Sequence, residues 1–166
     1  MTPPAEPVPQ ATAARAMPAV FFGHGSPYGF DQSIDEPQLY SNEGRYPFLY
    51  ANSCYSGDIH DPNTVTVSKR FVFAPQKGSI GFLATTSLGF IHSLNNYAQH
   101  FYQSLSYAKY DRGIGEVIME AAKNNATSGQ PITNFTGLDM TLHGDPSVKI
   151  SNGMGPDYTL DNNEVK

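Results

Sequence analysis

The chain contains a single cysteine, Cys54. Neither an intrachain disulfide nor a cysteine-rich metal site can be built from one thiol, so Cys54 is either a buried structural group or a working one. Charge is also sparse. Charged residues make up 15% of the 166 positions, and the net charge of -5 arises without a block of like sign. The 10 lysines and arginines are scattered, which argues against a nucleic-acid footprint or a membrane-surface patch. Long apolar runs are missing as well. Stretches such as residues 80–84 fall far short of a bilayer span, and no basic-then-apolar secretory leader opens the chain. The expectation is a soluble mature domain or an excised piece of a longer protein.

What is present is enough for one domain with a substantial core, because hydrophobic residues make up 39% of the chain. The 15 glycines and 13 prolines indicate many loops. Residues 1–17 are dominated by Pro and Ala and read as a disordered leader. Residues 151–166 are polar, with Gly153, Gly155, Pro156 and Asn162-Asn163, and read as a linker. The domain proper is therefore expected over residues 18–150.

Three short apolar runs bounded by turn residues, at 19–22, 48–52 and 80–84, are too short for helices and read as strands. Their hydrophobicity is continuous rather than alternating. That pattern suits strands covered on both faces, as in a parallel sheet between helices, and predicts an α/β architecture. A helix is expected after Ser93 as N-cap, with Leu94, Tyr97, Ala98, Phe101 and Leu105 in one apolar stripe. A second is expected over residues 114–122, ending before Asn124-Asn125. Residues 64–67 are β-branched or Thr and favour strand, yet Ser68 could cap a short helix over 69–74; the helix is preferred.

Two motifs lie at the ends of the first two predicted strands: Phe21-Phe22-Gly23-His24-Gly25-Ser26, and Ala51-Asn52-Ser53-Cys54-Tyr55-Ser56-Gly57-Asp58. In open parallel sheets, sites are built beyond the carboxyl ends of the strands. His24 and Cys54, 30 residues apart, should thus share one edge, with room for a single crossover between them. An imidazole beside a thiol can take its proton, or favour the nucleophilic thiolate once charged. Gly25 either brings a backbone N–H to a developing oxyanion together with the N–H of Cys54, or only makes a tight turn with Gly23.

The His-Gly pair after one strand and Cys after the next resemble the signature of the clan that includes caspases, legumains, clostripain and gingipains. Three further runs resemble the gingipain family in particular: Ser53-Cys54-Tyr55-Ser56-Gly57-Asp58, Lys77-Gly78-Ser79-Ile80-Gly81-Phe82-Leu83-Ala84-Thr85-Thr86-Ser87, and Gly144-Asp145-Pro146-Ser147-Val148-Lys149 preceded by Leu142. The resemblance spans roughly residues 18 to 150. It implies a caspase-like three-layer sandwich, with a mostly parallel sheet flanked by helices, of which this chain holds the C-terminal part. It also implies a cysteine endopeptidase with a Cys54–His24 dyad, an oxyanion hole from the N–H groups of Gly25 and Cys54, and a protein or peptide substrate. Secretion or surface attachment, through association with type IX secretion machinery, follows from the same resemblance. So does the alternative of a sortase-like transpeptidase. Gingipain catalytic regions are longer, and the part absent here supplies strands, the acid that orients the histidine and part of the specificity pocket. That leaves the activity of the isolated chain open and keeps a non-catalytic interaction module as a rival reading.

Thr86, Ser87, Leu88 and Gly89, after the third strand, are the expected substrate-pocket wall, and they carry no acid that would select a basic side chain. The chemistry requires no cofactor. His60, His92, His100 and His143 lack metal-ligand spacing, and no zinc site is expected. Structural calcium, known in some family members, could use the oxygen-rich loops at 31–36 and 58–63. Asp31, Asp35 and Glu36 follow His24 and are not expected to orient it. Asp58 is expected to hold its own loop, and Asp145-Pro146 to form a turn opening the last strand. Ser26 is a loop residue, since no Gly-x-Ser-x-Gly elbow surrounds it.

Overall fold

The computed structural model describes residues 16–127 and 129–150. Strands β1 (Pro18–Phe22), β2 (Phe48–Asn52) and β3 (Gly81–Thr85) are parallel neighbours, and β4 (Met140–Gly144) runs antiparallel on the far side of β3. Helix α1 (Val67–Val72) connects β2 to β3. Helices α2 (Ile91–Gln103), α3 (Ile114–Ala126) and α4 (Pro131–Asp139) connect β3 to β4, and a π-helical turn at Ser104–Ala108 extends α2.

Alternation along the strands sorts the core into two layers. Ala51, Phe82 and Ala84 pack with Val67 and Phe71 of α1 on one face of the sheet. On the other face, Phe48, Tyr50 and Leu83 pack with Leu94, Tyr97 and Phe101 of α2 and with Ile114, Val117 and Ala121 of α3. The Phe101 ring lies 4.9 Å from Tyr50 and 6.5 Å from Phe48, centroid to centroid. A wholly buried phenylalanine of this kind contributes about 2–3 kcal/mol of transfer free energy.

Cover on both faces, expected of all three apolar strands, is complete only for β3, whose five residues are all buried. At the sheet edge, β1 has Val20 48% and Phe22 53% exposed. The reason is positional: β1 pairs with β2 alone and forms the edge of the four-stranded sheet.

Several element boundaries differ from expectation. Helix α2 begins at Ile91, with Phe90 rather than Ser93 in the cap position, and Ser93 is a buried residue of the first turn. The first helical bond, from Leu94 N–H to Phe90 C=O (2.8 Å), brings Leu94 into the core, so packing sets the start and no side-chain cap is needed. Helix α1 likewise begins at Val67, before Ser68, whose hydroxyl is buried against Thr66 Oγ1 at 2.9 Å. Helix α3 runs past residue 122 because Asn125, expected outside it, is buried and donates from Nδ2 to Thr133 C=O (2.5 Å) in α4.

Helix α4 and strand β4 carry only weak periodicity and were not expected. The Gly144-Asp145-Pro146 motif closes the last strand instead of opening it. At Gly144, φ is 142°, and a Cβ there would lie 3.0 Å from Gly81 Cα, so glycine permits the close crossing. Asp145 then caps the turn, accepting from Ser147 N (2.8 Å) and Oγ (2.7 Å). The expected leader and linker lie almost wholly outside the described residues. Packing already begins at Ala16, which is buried in the core.

Candidate functional site

The register of the sheet brings the two motifs level. Phe22 pairs with Asn52, an offset of 30 residues that is the same as the interval from His24 to Cys54. The ladder continues one step past the strands, with Gly23 N–H donating to Asn52 C=O at 3.3 Å. His24 and Cys54 consequently line one cleft of about 230 Å³, together with Phe22, Asn52, Ser53, Gly89, Ile91 and Leu94. The imidazole is exposed and the thiol half-buried. No hydrogen bond joins them directly among the described residues.

The Cys54 turn is fastened to the end of β3. Thr85 Oγ1 donates to Ser53 C=O (2.6 Å), Tyr55 N–H to Ser87 C=O (2.8 Å) and Gly57 N–H to Thr85 C=O (2.9 Å). Tyr55 takes a left-handed conformation (φ 55°), which reverses the chain directly after the cysteine. Beneath the turn, the hydroxyls of Ser53 and Ser56 meet at 2.9 Å. The thiol faces backbone: Gly89 N–H donates to Cys54 Sγ at 3.4 Å, and the Gly89 carbonyl oxygen lies 3.7 Å from the same sulfur.

Gly25 forms an isolated antiparallel bridge with Phe30, whose hydrogen bonds run from Asp31 N–H to His24 C=O (3.0 Å) and from Ser26 N–H to Gly29 C=O (2.9 Å). Neither bond uses the Gly25 N–H. Contact with the Cys54 turn explains the glycine, since a Cβ at 25 would lie 2.8 Å from both Cβ and Oγ of Ser53.

Of the four expected wall residues, only Gly89 reaches the cleft. Thr86 and Ser87 are anchored to Asp139 at the C-terminal end of α4: Thr86 Oγ1 donates to Oδ1 (2.5 Å), while Ser87 N–H (3.1 Å) and Oγ (2.7 Å) donate to Oδ2. Leu88 is exposed. The remaining wall consists of Phe22, Ile91 and Leu94, which the sequence marks only as apolar. Asp139 carries no local signal at all, because it lies 53 residues from Thr86 in a segment of weak periodicity.

Asp58 holds its own loop as expected, accepting from His60 N–H at 2.8 Å. Asp35 and Glu36 are engaged by Arg70, at 3.7 and 2.9 Å, and Asp31 lines a shallow hollow beside His24. His143 lies on β4 close to Gly57. Burial pushes its imidazole below the ordinary histidine value, the nearby Gly57 backbone opposes this, and the Lys69 charge adds to the depression. Among the described residues no three His, Cys, Asp or Glu side chains gather to hold a metal. In the 58–63 loop the Asp61 carboxylate accepts from Asn63 N–H at 2.9 Å and from Thr64 Oγ1 at 2.5 Å. No helix among the described residues is long and apolar enough to cross a membrane.

A parallel sheet with one antiparallel edge, helices on both faces and His and Cys at adjacent strand ends defines a caspase-like three-layer sandwich. The chain belongs to peptidase family C25, whose sequence model matches residues 15–151. Its fold is similar to that of the Arg-specific cysteine proteinase gingipain R, at 19% identity and a TM-score of 0.70, covering 80% of this chain and 33% of that one. It is likewise similar to the complex of the Porphyromonas gingivalis RgpB pro- and mature domains, at 21% identity and TM-score 0.70, covering 80% of this chain and 34% of that one. A third structure described only as a protease matches at 11% identity and TM-score 0.67, over 80% of this chain and 35% of the other. The chain thus spans about a third of the length of these structures. Among curated proteins, none matches it in sequence.

Proposed function

We propose that the chain forms the nucleophile-bearing part of a cysteine endopeptidase. The observation that carries this reading is the equality between the β1–β2 register and the His24–Cys54 interval, which sets both side chains in one cleft. The Cys54 thiolate attacks the scissile carbonyl carbon of a protein or peptide substrate. The carbonyl oxygen takes up the charge against the N–H groups of Gly25 and Cys54, neither of which has a backbone partner among the described residues. Collapse of the adduct breaks the C–N bond as His24 delivers a proton to the leaving amine, and a thioester remains. Water then hydrolyses the thioester, regenerating the thiol. An amine in place of water would give a transpeptidase of the sortase kind, with its place outside the cytoplasm and beside secretion machinery.

Among the described residues, His24 and the Cys54 thiol are the titratable side chains lining the cleft, and Phe22, Ile91 and Leu94 make its wall apolar. An uncharged, apolar substrate side chain fits this surface better than Arg or Lys. The absence of a direct His24–Cys54 hydrogen bond favours a second reading, a peptidase-like interaction module. The deciding experiment is the pH-dependence of Cys54 alkylation in the wild-type chain and in His24→Ala. Reaction well below about pH 8 that is lost without His24 supports the dyad. Ordinary thiol behaviour in both proteins supports the module.

A further inference from the structure

Asp139 is 9% exposed, and its carboxylate makes no ion pair among the described residues. Burying a carboxylate is costly unless hydrogen bonds replace its hydration. Here three donors do so, and all three come from Thr86 and Ser87. The Asp139 carbonyl oxygen adds a fourth link, accepting from Thr86 N–H at 3.1 Å. One acid thus clamps two successive residues immediately after β3.

Those residues sit level with the nucleophile. The β2–β3 register pairs Ala51 with Ala84, and the turn bearing Cys54 and the segment bearing Ser87 leave the same ends of the two strands. Ser87 C=O receives Tyr55 N–H, and two residues later Gly89 N–H reaches Cys54 Sγ. The segment has little slack at that point, because a Cβ on Gly89 would lie 2.7 Å from Leu94 Cδ1 and 3.1 Å from Ser53 C=O. A donor aimed at sulfur favours the thiolate only if it is held in place before the charge forms.

We infer that Asp139 is a positioning residue for the nucleophile: through Thr86 and Ser87 it holds the Gly89 N–H on the Cys54 sulfur. The inference deepens the cysteine peptidase reading and rests on it for its catalytic meaning. Asp139 acts through geometry, and its own negative charge works against a nearby thiolate. Alanine at this position removes every side-chain acceptor and so releases the clamp, whereas Asn would keep it, because its Oδ1 still accepts from Ser87 and its NH2 group donates to the Thr86 hydroxyl.

The test compares the wild-type 166-residue chain with Asp139→Ala, following Cys54 alkylation by iodoacetamide and the Gly89 amide signal by NMR across the same pH range. Loss of the sulfur's donor is expected to slow alkylation at about pH 6.5 roughly tenfold while leaving the rate at about pH 9.5 within about twofold. The Gly89 amide should follow sulfur ionisation in the wild type and cease to do so in the variant. An unchanged or faster rate near neutrality, or a Gly89 signal that still tracks the sulfur, overturns the inference. If Asp139→Ala does not fold, Ser87→Ala removes a single donor and should slow neutral alkylation by about threefold. An unchanged rate there overturns the inference equally. His24→Ala separates the two ideas: insensitivity to that change defeats the peptidase reading, whereas the Gly89 signal still reports on Asp139.

Discussion

Replacing Gly25 by alanine should push the two motif loops apart. The new methyl group would stand 2.8 Å from Ser53 Cβ, 2.8 Å from Ser53 Oγ and 3.3 Å from Cys54 C=O, against an optimal separation of about 3.5–4.0 Å. Ser53 cannot give way easily. It is buried, its hydroxyl meets Ser56 and its carbonyl oxygen accepts from Thr85 Oγ1. The loop bearing His24 must therefore move, against the two hydrogen bonds of the Gly25–Phe30 bridge. Overpacking of this kind costs about 1–3 kcal/mol. Gly25 is not among the positive-φ residues, so alanine adds no backbone strain, and its lower unfolded-state entropy returns about 0.4–1 kcal/mol. A net loss of about 1–2 kcal/mol follows, which at a urea slope of about 2 kcal/mol/M moves the unfolding midpoint down by about 0.5–1 M. On the proposed dyad, alkylation of Cys54 near neutral pH should also slow, because His24 retreats from Cys54 by a fraction of an ångström to an ångström. Adding Ser53→Gly, which removes both atoms at 2.8 Å, should recover most of the lost stability. A Gly25→Ala chain with the wild-type midpoint and wild-type Cys54 reactivity would refute the argument.

Two further outcomes concern the scaffold. Phe101→Ala removes the ring packed between Phe48 and Tyr50 and should lower stability by about 3–5 kcal/mol by calorimetry or urea titration; a loss below about 1 kcal/mol would mean that α2 is not seated as described. Because burial depresses the His143 imidazole, the unfolded chain takes up that proton before the folded one does. The stability this contributes is complete above the unfolded value of about 6.5 and is lost as pH falls from there through the folded value. His143→Asn should therefore lose less stability than the wild type between about pH 7.5 and pH 5, and parallel declines in urea midpoint would count against a buried neutral imidazole.

Local pattern made part of this molecule legible. The apolar runs behind β1, β2 and β3, and the stripes of α2 and α3, declare themselves because each buries one continuous surface, and the His-Gly and Ser-Cys motifs mark the strand ends where a site belongs. Their equal spacing and strand pairing even anticipates that His24 and Cys54 share an edge. Strand β4 was not legible: Met140, Thr141, Leu142 and His143 mix polar and apolar groups, and they become a strand only by pairing with Phe82, Leu83 and Ala84. The start of α2 was misread for a similar reason, since Ser93 has the chemistry of a cap but the core claims Leu94 one turn after Phe90. Tertiary structure alone decided that Thr86 and Ser87 turn inward to Asp139, that Gly89 touches the thiol, and that Val20 and Phe22 stay half exposed at the sheet edge. Each of these rests on contacts between segments tens of residues apart. Periodicity and spacing report what a residue's neighbours in the chain allow, whereas these contacts depend on which surfaces the folded layers bring together.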